Sequence, residues 1–413
     1  MANNALKLPN AGIAVLMYSH DGFGLGHLKR NITLATRLVQ EIPGSRILLI
    51  AGHANLPWGA LPYGVDFIKL PSILKTETGI WQSRSLPIEN KVLRDLRASV
   101  IQKAAEHFNP DFFLVDYTPT GVWGELIPTL EMLKTRQRPV SVFLGLRDIL
   151  DAPEVTQEIW AREGNYDAIR QYYDKVLIYG RPEIFNTASQ YGLEKDLAKK
   201  NMYCGYLCAD DNCKPKEQMR RELKIRKKKL IVVTAGGGAD AYPMMQLAMK
   251  ALAKLSAKVS AEAIFITGPL MIAEQRQSLE IQARELPVRV LPCVEELIHY
   301  MNAADLIVTM ASYNTLMDAV RLSKPILSIP REGPSAEQKL RAALFSRLGL
   351  VTALESPAKI SPGQLASRIL EALTHSFSPG MPLDMMGLQK VTRYFGHLVK
   401  KRNHEQREIS RTI

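Results

Sequence analysis

A histidine and an arginine follow a glycine-rich segment near the start of the chain, and together they can bind and deprotonate a substrate. In the segment 20–31, Gly24 and Gly26 precede His27 and Arg30. Glycines allow tight turns whose exposed amides favour an anion, and an imidazole can remove a proton from a hydroxyl group or a water. The alternatives are a histidine that caps a helix or binds a loop carbonyl, and an arginine that is only surface charge. The third glycine of the dinucleotide-binding fingerprint is absent, which argues against NAD.

A second glycine-rich turn predicts a phosphate site. The segment 234–241, which contains Gly236, Gly237 and Gly238, directly follows the apolar run 230–233 and precedes a segment with helical spacing. Three successive glycines let the backbone approach a diphosphate, and the dipole of the following helix favours its charge. The Gly-Lys-Ser/Thr of a P-loop is missing, so ATP hydrolysis of that kind is disfavoured. The alternative is a turn whose glycines serve only close packing.

Carboxylates and amides stand at the ends of other predicted strands. Asp116 ends the apolar run 112–116 and is a second candidate base, or alternatively caps the next turn. Ser312, Asn314 and Thr315 follow another strand and are also good helix caps. Three further residues can bind hydroxyl groups, Asp318 those of a ribose and Glu337 and Gln338 those of a sugar.

Ten short apolar runs must position these side chains, and they have the length and composition of buried parallel strands. Segments with helical spacing lie between many of them, so the fold class is α/β. Ligands of such sheets bind at the carboxyl ends of the strands, where the candidate residues lie. The runs are 13–18, 46–50, 112–116, 140–144, 175–179, 230–234, 263–267, 288–291, 305–310 and 325–329.

The alternation of strand and helix starts afresh after a polar, basic stretch, which predicts two doubly wound domains. We place them at 1–208 and 209–380, facing each other across a cleft, followed by a terminal helix at 381–413. Between residues 390 and 411 that helix carries seven basic and two acidic residues. It is either a solvated helix or one that contacts a membrane surface or a partner.

Composition and charge limit the class of protein. The 413 residues contain 53 Lys and Arg against 41 Asp and Glu, a net charge of +12, which favours anionic ligands. No apolar run reaches the roughly 18 residues of a membrane span, and the start lacks the pattern of a secretion signal. We therefore expect a cytoplasmic protein with at most peripheral membrane contact. The basic run 224–229 lacks an aromatic platform for nucleic acid, and the cysteine spacing matches no common zinc site.

Several segments, in this order and spacing, resemble glycosyltransferase family 28, which includes the lipid-linked N-acetylglucosamine transferase of peptidoglycan synthesis, and a set of predicted bacterial glycosyltransferases related to it. They cover most of the chain: 24–30, 115–121, 236–240, 267–269, 312–318 and 324–342. The resemblance implies the GT-B fold, two Rossmann-like domains of which the first binds the acceptor and the second a nucleotide sugar, usually a UDP-sugar.

The resemblance also implies roles for individual residues. The diphosphate would lie near Gly236–Gly238, the ribose near Asp318 and the base against the backbone at 293–296. The implied donor-binding residues are Gly236, Gly237, Gly238, Gly268, Val294, Ser312, Asn314, Thr315, Asp318, Arg331, Glu337 and Gln338. Relatives commonly carry glycine and glutamate where this chain has Ser312 and Asp318, so donor choice or affinity can differ. The family generally uses neither an active-site metal nor a separate cofactor.

The hypothesis from the sequence is therefore an inverting, metal-independent sugar transfer to a hydroxyl acceptor, with His27 or Asp116 as the base. One alternative is a nucleotide-sugar hydrolase, in which water replaces the acceptor. Another is a binding protein that has lost catalysis. Acceptor loops lie in the first domain, where Trp81 and Trp123 either stack on a sugar or lipid or simply pack.

Overall fold

A computed structural model describes residues 12–20, 24–53, 61–77, 80–208, 213–255, 259–378 and 380–412. The chain divides into two compact units. The first comprises Met1–Gly22, His27–Leu207 and Met386–Ile413, and the second comprises Phe23–Gly26 and Cys208–Met385. The polar residues 210–212 of the predicted linker lie outside the described residues.

The first unit is built on a seven-stranded parallel sheet in the order β3-β2-β1-β6-β7-β8-β9. β4 and β5 form a separate antiparallel hairpin. The strands are β1 (Ala14–Tyr18), β2 (Arg46–Ala51), β3 (Val65–Lys69), β4 (Ile73–Glu77), β5 (Ile80–Ser83), β6 (Phe112–Asp116), β7 (Ser141–Arg147), β8 (Lys175–Tyr179) and β9 (Asn201–Tyr203).

Helices lie between most of the parallel strands along the chain, because neighbouring parallel strands need a crossover connection. They are α1 (Gly26–Glu41), α2 (Asn90–Phe108), α3 (Ile127–Lys134), α4 (Pro153–Arg162), α5 (Asn165–Tyr172) and α6 (Thr187–Gln190), with short 3₁₀ turns at Val122–Gly124 and Lys195–Lys200. The central strands are buried along their whole length, because helices cover both faces of a parallel sheet.

The terminal helix α14 (Gly387–Thr412) returns to the first unit. Its Phe395 ring packs 5.2 Å from the ring of Phe112 on β6 and 5.0 Å from that of Phe143 on β7. Arg402 also forms an ion pair of 2.7 Å with Asp111. One face of this basic helix is therefore structural, since it completes the core of the first unit.

The second unit contains a six-stranded parallel sheet in the order β12-β11-β10-β13-β14-β15. Its strands are β10 (Lys229–Thr234), β11 (Ala261–Ile266), β12 (Val288–Leu291), β13 (Leu306–Thr309), β14 (Ile326–Ser328) and β15 (Thr352–Ala353). Its helices are α7 (Lys216–Glu222), α8 (Tyr242–Leu255), α9 (Ala273–Ala283), α10 (Leu297–Ala303), α11 (Tyr313–Val320), α12 (Glu337–Arg347) and α13 (Pro362–Thr374).

The prediction of two parallel α/β domains is confirmed, and all ten apolar runs contain strands. The structure adds five strands that the sequence did not predict, β3, β4, β5, β9 and β15. They are short or only partly buried, so their sequences lack the continuous apolar run of a central strand. Within the described residues, no helix is both long enough and apolar enough to cross a membrane.

Candidate active site

The first candidate site lies at the carboxyl edge of the sheet in the first unit. β1 pairs with β2 on one side and β6 on the other, so the strand order reverses between β1 and β6. Ligands of open α/β sheets bind at such a switch point. His27 is the second residue of α1, which follows β1, and Asp116 is the last residue of β6. Gly22, in the glycine segment, lies outside the described residues.

The imidazole of His27 and the guanidinium of Arg30 meet at the carboxylate of Asp116. His27 Nδ1 lies 2.5 Å from Asp116 Oδ2, and Arg30 Nη2 donates to Asp116 Oδ1. An ionised carboxylate only accepts hydrogen bonds, so Nδ1 must carry the proton. Arg30 Nη2 is also 2.9 Å from His27 Nδ1. If Arg30 donated a hydrogen bond to Nδ1, then Nδ1 and Asp116 Oδ2 would both be acceptors, only 2.5 Å apart. Nε2 is therefore the basic nitrogen.

These contacts differ from the structural alternatives for the same three residues. Both oxygens of Asp116 contact the side chains of His27 and Arg30, and neither caps the turn that follows β6. Arg30 is only 3% exposed, so it is a buried partner of the carboxylate rather than surface charge. The arrangement is a histidine oriented by a carboxylate, which is the geometry of a general base.

Burial and charge set the protonation states of this pair. Burial is the largest influence on His27 and lowers its pKa from 6.5 to about 4, although the Asp116 carboxylate acts in the opposite direction. Burial alone would raise the pKa of Asp116, but Arg30 and His27 together outweigh it and hold that pKa well below its usual range. At neutral pH the ring is thus neutral and the carboxylate ionised, as a base requires.

We expect the His27 ring to remain neutral down to about pH 4, with its proton on Nδ1. Nitrogen NMR of protein labelled at histidine checks both points, and the signal missing from His27→Gln assigns the ring. Because the unfolded chain takes up this proton nearer pH 6.5, folding stability should fall as the pH drops from 6.5 toward 4. A ring that titrates near pH 6.5 in the folded protein, or that carries its proton on Nε2, would contradict the arrangement.

Aromatic rings surround His27 in a cluster that sequence reasoning missed in part. The rings of His20 and Tyr117 lie 5.4 and 5.2 Å from that of His27. Trp81 lies 5.0 Å from His20, and the Arg147 guanidinium is 5.5 Å from the centre of the Tyr117 ring. His20, Tyr117 and Arg147 stand at or just after the ends of β1, β6 and β7. Because ligands bind at the carboxyl ends of strands, that position could have identified them as site residues from the sequence.

The second candidate site lies at the carboxyl edge of the other sheet, where its strand order reverses between β10 and β13. Gly236, Gly238 and Gly268 have φ angles of +66°, +90° and +87°. A Cβ on Gly238 would lie 2.0 Å from a backbone oxygen, and one on Gly268 would lie 2.5 Å from another. Close packing therefore requires these two glycines. Gly237 has no such constraint, because a Cβ there would make contacts of 3.6 Å or more.

The loop after β10 offers backbone donors. Among the described residues, no backbone oxygen accepts a hydrogen bond from the amides of Gly236, Gly237 or Gly238. The loop leads into α8, so the helix dipole adds to these donors. Val294, in the loop between β12 and α10, is half-buried. The loop after β10 therefore meets the chemical requirement for holding an anion.

The start of α11 is the neighbouring part of this edge. Ser312 occupies the N-cap position, but its side chain forms no capping hydrogen bond. Thr315 and Asp318 are buried one turn further on. Asn314 Nδ2 donates a hydrogen bond of 2.7 Å to the oxygen of Gly26, in the segment 24–26 that groups with this unit. Capping therefore does not explain the side chain of Ser312.

Ion pairs fix the residues that follow β14. Arg331 Nη1 lies 2.8 Å from Asp240 Oδ2, which joins the loops after β14 and β10. The Arg331 amide donates to Gln338 Oε1 at 3.2 Å. Glu337 forms a buried ion pair of 2.6 Å with Arg341, so one of its oxygens is already engaged. The structure thus gathers the predicted donor residues at one edge of the second unit.

Two observations bear on metals. Cys204, Cys208, Cys213 and Cys293 are free thiols. Over the described ranges, no group of three or more histidine, cysteine, aspartate and glutamate side chains is arranged to hold a metal ion.

Comparison with known proteins agrees with this architecture. Residues 230–391 match the glycosyltransferase family 28 C-terminal domain. An uncharacterized glycosyltransferase of Methanopyrus kandleri is 25% identical over 186 residues, which are 44% of this chain and 49% of that protein. This chain therefore matches about half the length of that relative.

Two further comparisons extend over most of the chain. The UDP-N-acetylglucosamine–N-acetylmuramyl-(pentapeptide) pyrophosphoryl-undecaprenol N-acetylglucosamine transferase of Phocaeicola vulgatus is 22% identical over 340 residues, 80% of each protein. The crystal structure of Acinetobacter baumannii MurG superposes with a TM-score of 0.57 at 14% identity, covering 94% of this chain and 99% of that one. The predicted resemblance to family 28 and the GT-B fold class are confirmed.

Proposed function

We propose that this chain, whose residues 230–391 match the family 28 C-terminal domain, is a glycosyltransferase that moves a sugar from a nucleotide sugar to a hydroxyl acceptor. The match carries the proposal, because it contains the glycine loop, α11 and the residues after β14. The transferases named among the relatives support the same reaction class. We take the donor to be a UDP-sugar, as in the name of the Phocaeicola vulgatus relative.

In this proposal the second unit binds the donor. The amides of Gly236–Gly238 and the N-termini of α8 and α11 would hold the diphosphate and stabilise the charge that develops as it leaves. Asp318 would accept hydrogen bonds from the ribose, and Gln338 would donate its amide N–H to a sugar hydroxyl. The backbone amides and helix N-termini at the diphosphate supply positive potential where negative charge grows, which supports a metal-independent reaction.

The first unit supplies the base. His27 Nε2 would take the proton of the acceptor hydroxyl while its oxygen forms a bond to the anomeric carbon. The bond from that carbon to the diphosphate breaks, and the configuration inverts in this single displacement. Asp116 would stabilise the imidazolium that forms.

We include a cytoplasmic setting in the proposal. The four free thiols agree with the reducing conditions of that compartment.

Donor binding can be tested at Gly237, where a side chain fits without backbone strain. We expect Gly237→Asp to weaken binding of UDP-sugars at least about 100-fold, because a carboxylate there repels the diphosphate. Gly237→Asn adds almost the same volume without charge and should weaken binding much less. Calorimetric titration with UDP, GDP and dTDP sugars measures both variants.

The outcomes separate the alternatives. Binding by neither protein nor variants would remove the donor-site assignment. Equal loss in Gly237→Asp and Gly237→Asn would mean that volume, rather than charge, is sensed, which contradicts a diphosphate at this loop. Release of the nucleoside diphosphate without any acceptor would identify a hydrolase, and binding without turnover across many acceptors would identify an inactive binding protein.

A further inference from the structure

A glycine interrupts the bulky apolar sequence of β7, which lies between β6 and β8 in the sheet of the first unit. Gly145 stands between the buried Leu144 and Leu146. Its φ angle is outside the left-handed region, so the backbone does not require glycine here. Glycine inside a strand weakens it and often marks a place where another group approaches closely. The neighbours of Gly145 must therefore explain it.

The ring of Tyr179 occupies the space that a side chain at position 145 would take. A Cβ on Gly145 would lie 2.4 Å from the hydroxyl oxygen of Tyr179 and 3.0 Å from the ring carbon that carries that oxygen. Tyr179 is buried at the end of β8, which pairs with β7. On the other side of β7, Gly145 pairs with Asp116 of β6. The glycine therefore lets a large ring lie across β7 at the level of Asp116.

The Tyr179 ring packs against the guanidinium group of Arg30. The Cζ atom of Arg30 lies 5.8 Å from the centre of the ring, inside the range of about 6 Å for a cation–π interaction. Both side chains are buried, and removal of solvent strengthens such interactions. Burial also raises the pKa of Tyr179 well above its usual range, so the phenol adds no negative charge at neutral pH. Tyr179 therefore acts on Arg30 as a neutral aromatic face.

Arg30 connects this ring to the base. Its Nη2 donates to Oδ1 of Asp116, and Oδ2 of the same carboxylate accepts the Nδ1 proton of His27. If Arg30 moved away, the carboxylate would act on His27 without this opposing cation, and the imidazole would bind a second proton more readily. Arg147 of β7 is a further charged group that acts on the imidazole. The orientation and protonation of His27 therefore depend on where Arg30 is held.

We propose that Tyr179 is a positioning residue for His27 and Asp116, and that residue 145 is glycine because the Tyr179 ring needs its space. The ring holds Arg30 at Asp116, and Asp116 orients His27. This inference rests on the proposed function, in which His27 is the base, and it adds two residues that act through Arg30. Neither residue needs to contact the substrate for this role.

Gly145→Ala tests this arrangement. Its methyl group should push the Tyr179 ring off Arg30. The pKa of His27 should then rise from about 4 toward 6.5, because Arg30 opposes less of the Asp116 charge. We also expect kcat to fall about tenfold, since a small misplacement of a catalytic group is costly, while the Kd for a UDP-sugar stays unchanged. Nitrogen NMR of histidine-labelled protein follows the pKa.

Three further variants separate positioning from general damage to the sheet. Tyr179→Phe keeps the aromatic face but removes the oxygen that lies 2.4 Å from the added methyl group. Combined with Gly145→Ala, it should restore most of kcat and the low pKa of His27. Alone, Tyr179→Leu should change both quantities more than Tyr179→Phe does. Phe143→Leu removes a buried ring of β7 that packs on α14, so it should lower stability and leave the pKa of His27 unchanged.

The pKa of His27 tests the inference independently of activity. An unchanged pKa in Gly145→Ala and Tyr179→Leu would overturn the positioning role and leave the transferase function standing. A double variant no better than Gly145→Ala would also overturn it. If Gly145→Ala does not fold, Tyr179→Leu and Tyr179→Phe still give the comparison, because β7 is then unaltered. The expected pKa changes in a protein that transfers no sugar would keep the positioning role and remove the proposed reaction.

Discussion

Replacing His27 with glutamine should lower kcat by about 10²–10⁴-fold while the Kd for the donor stays near that of the unchanged protein. General-base catalysis typically contributes this much, and glutamine is similar in size but cannot accept a proton at neutral pH. The donor residues lie on the second unit, whereas His27 belongs to the first. The measurement is release of nucleoside diphosphate from a bound donor in the presence of a hydroxyl acceptor.

An exposed histidine supplies the control for that experiment. His107 lies near the end of α2, is exposed and takes no part in either candidate site, so His107→Gln should retain full activity. Because the pKa of His27 is about 4, the unchanged enzyme should keep its kcat/KM between about pH 5.5 and 7. A kcat in His27→Gln within about threefold of the unchanged value would assign the base elsewhere.

The central strands could be predicted from sequence, whereas the sheet edges could not. Phe112–Asp116 is apolar until its last residue because both faces of a central parallel strand are buried. Val65–Lys69 mixes buried, partly buried and exposed residues, with an aspartate and a lysine among them. Such a strand forms because β2 already offers an open edge for pairing, and that cause lies outside its own five residues.

The candidate base was predictable for a related reason. Asp116 ends β6 and His27 opens the helix that follows β1, and the switch-point rule brings the ends of β1 and β6 together. A cavity of about 340 Å³ beside them was not predictable, since it depends on left-handed backbone at Tyr117 and Trp123. A non-glycine residue gives no local sign that it will adopt this conformation. Trp81 and Trp123 were recognised as candidates, but only the structure places both rings on one wall.

Replacing Asp116 with asparagine should lower kcat about as much as removing His27, roughly 10³–10⁴-fold, although the histidine remains. The loss is this large because of the hydrogen bond that Arg30 Nη2 donates to Oδ1 of the carboxylate. In the variant, Arg30 would keep the amide oxygen and turn the amide N–H₂ toward His27 Nδ1. Nδ1 must then accept, so the proton moves to Nε2 and the basic nitrogen is lost, as in a serine-protease triad whose aspartate becomes asparagine.

A second substitution distinguishes this tautomer effect from general damage. Asp116→Asn leaves the buried Arg30 charge without its carboxylate, which should destabilise the fold by about 3–5 kcal/mol. Adding Arg30→Gln removes that charge and frees the amide to present its oxygen to His27, so the double variant should recover stability and part of kcat. Nitrogen NMR should show the proton on Nε2 in Asp116→Asn and on Nδ1 in the double variant. If Asp116→Asn retains the proton on Nδ1 and most of its activity, then Asp116 does not set the tautomer, and His27 acts without an orienting carboxylate.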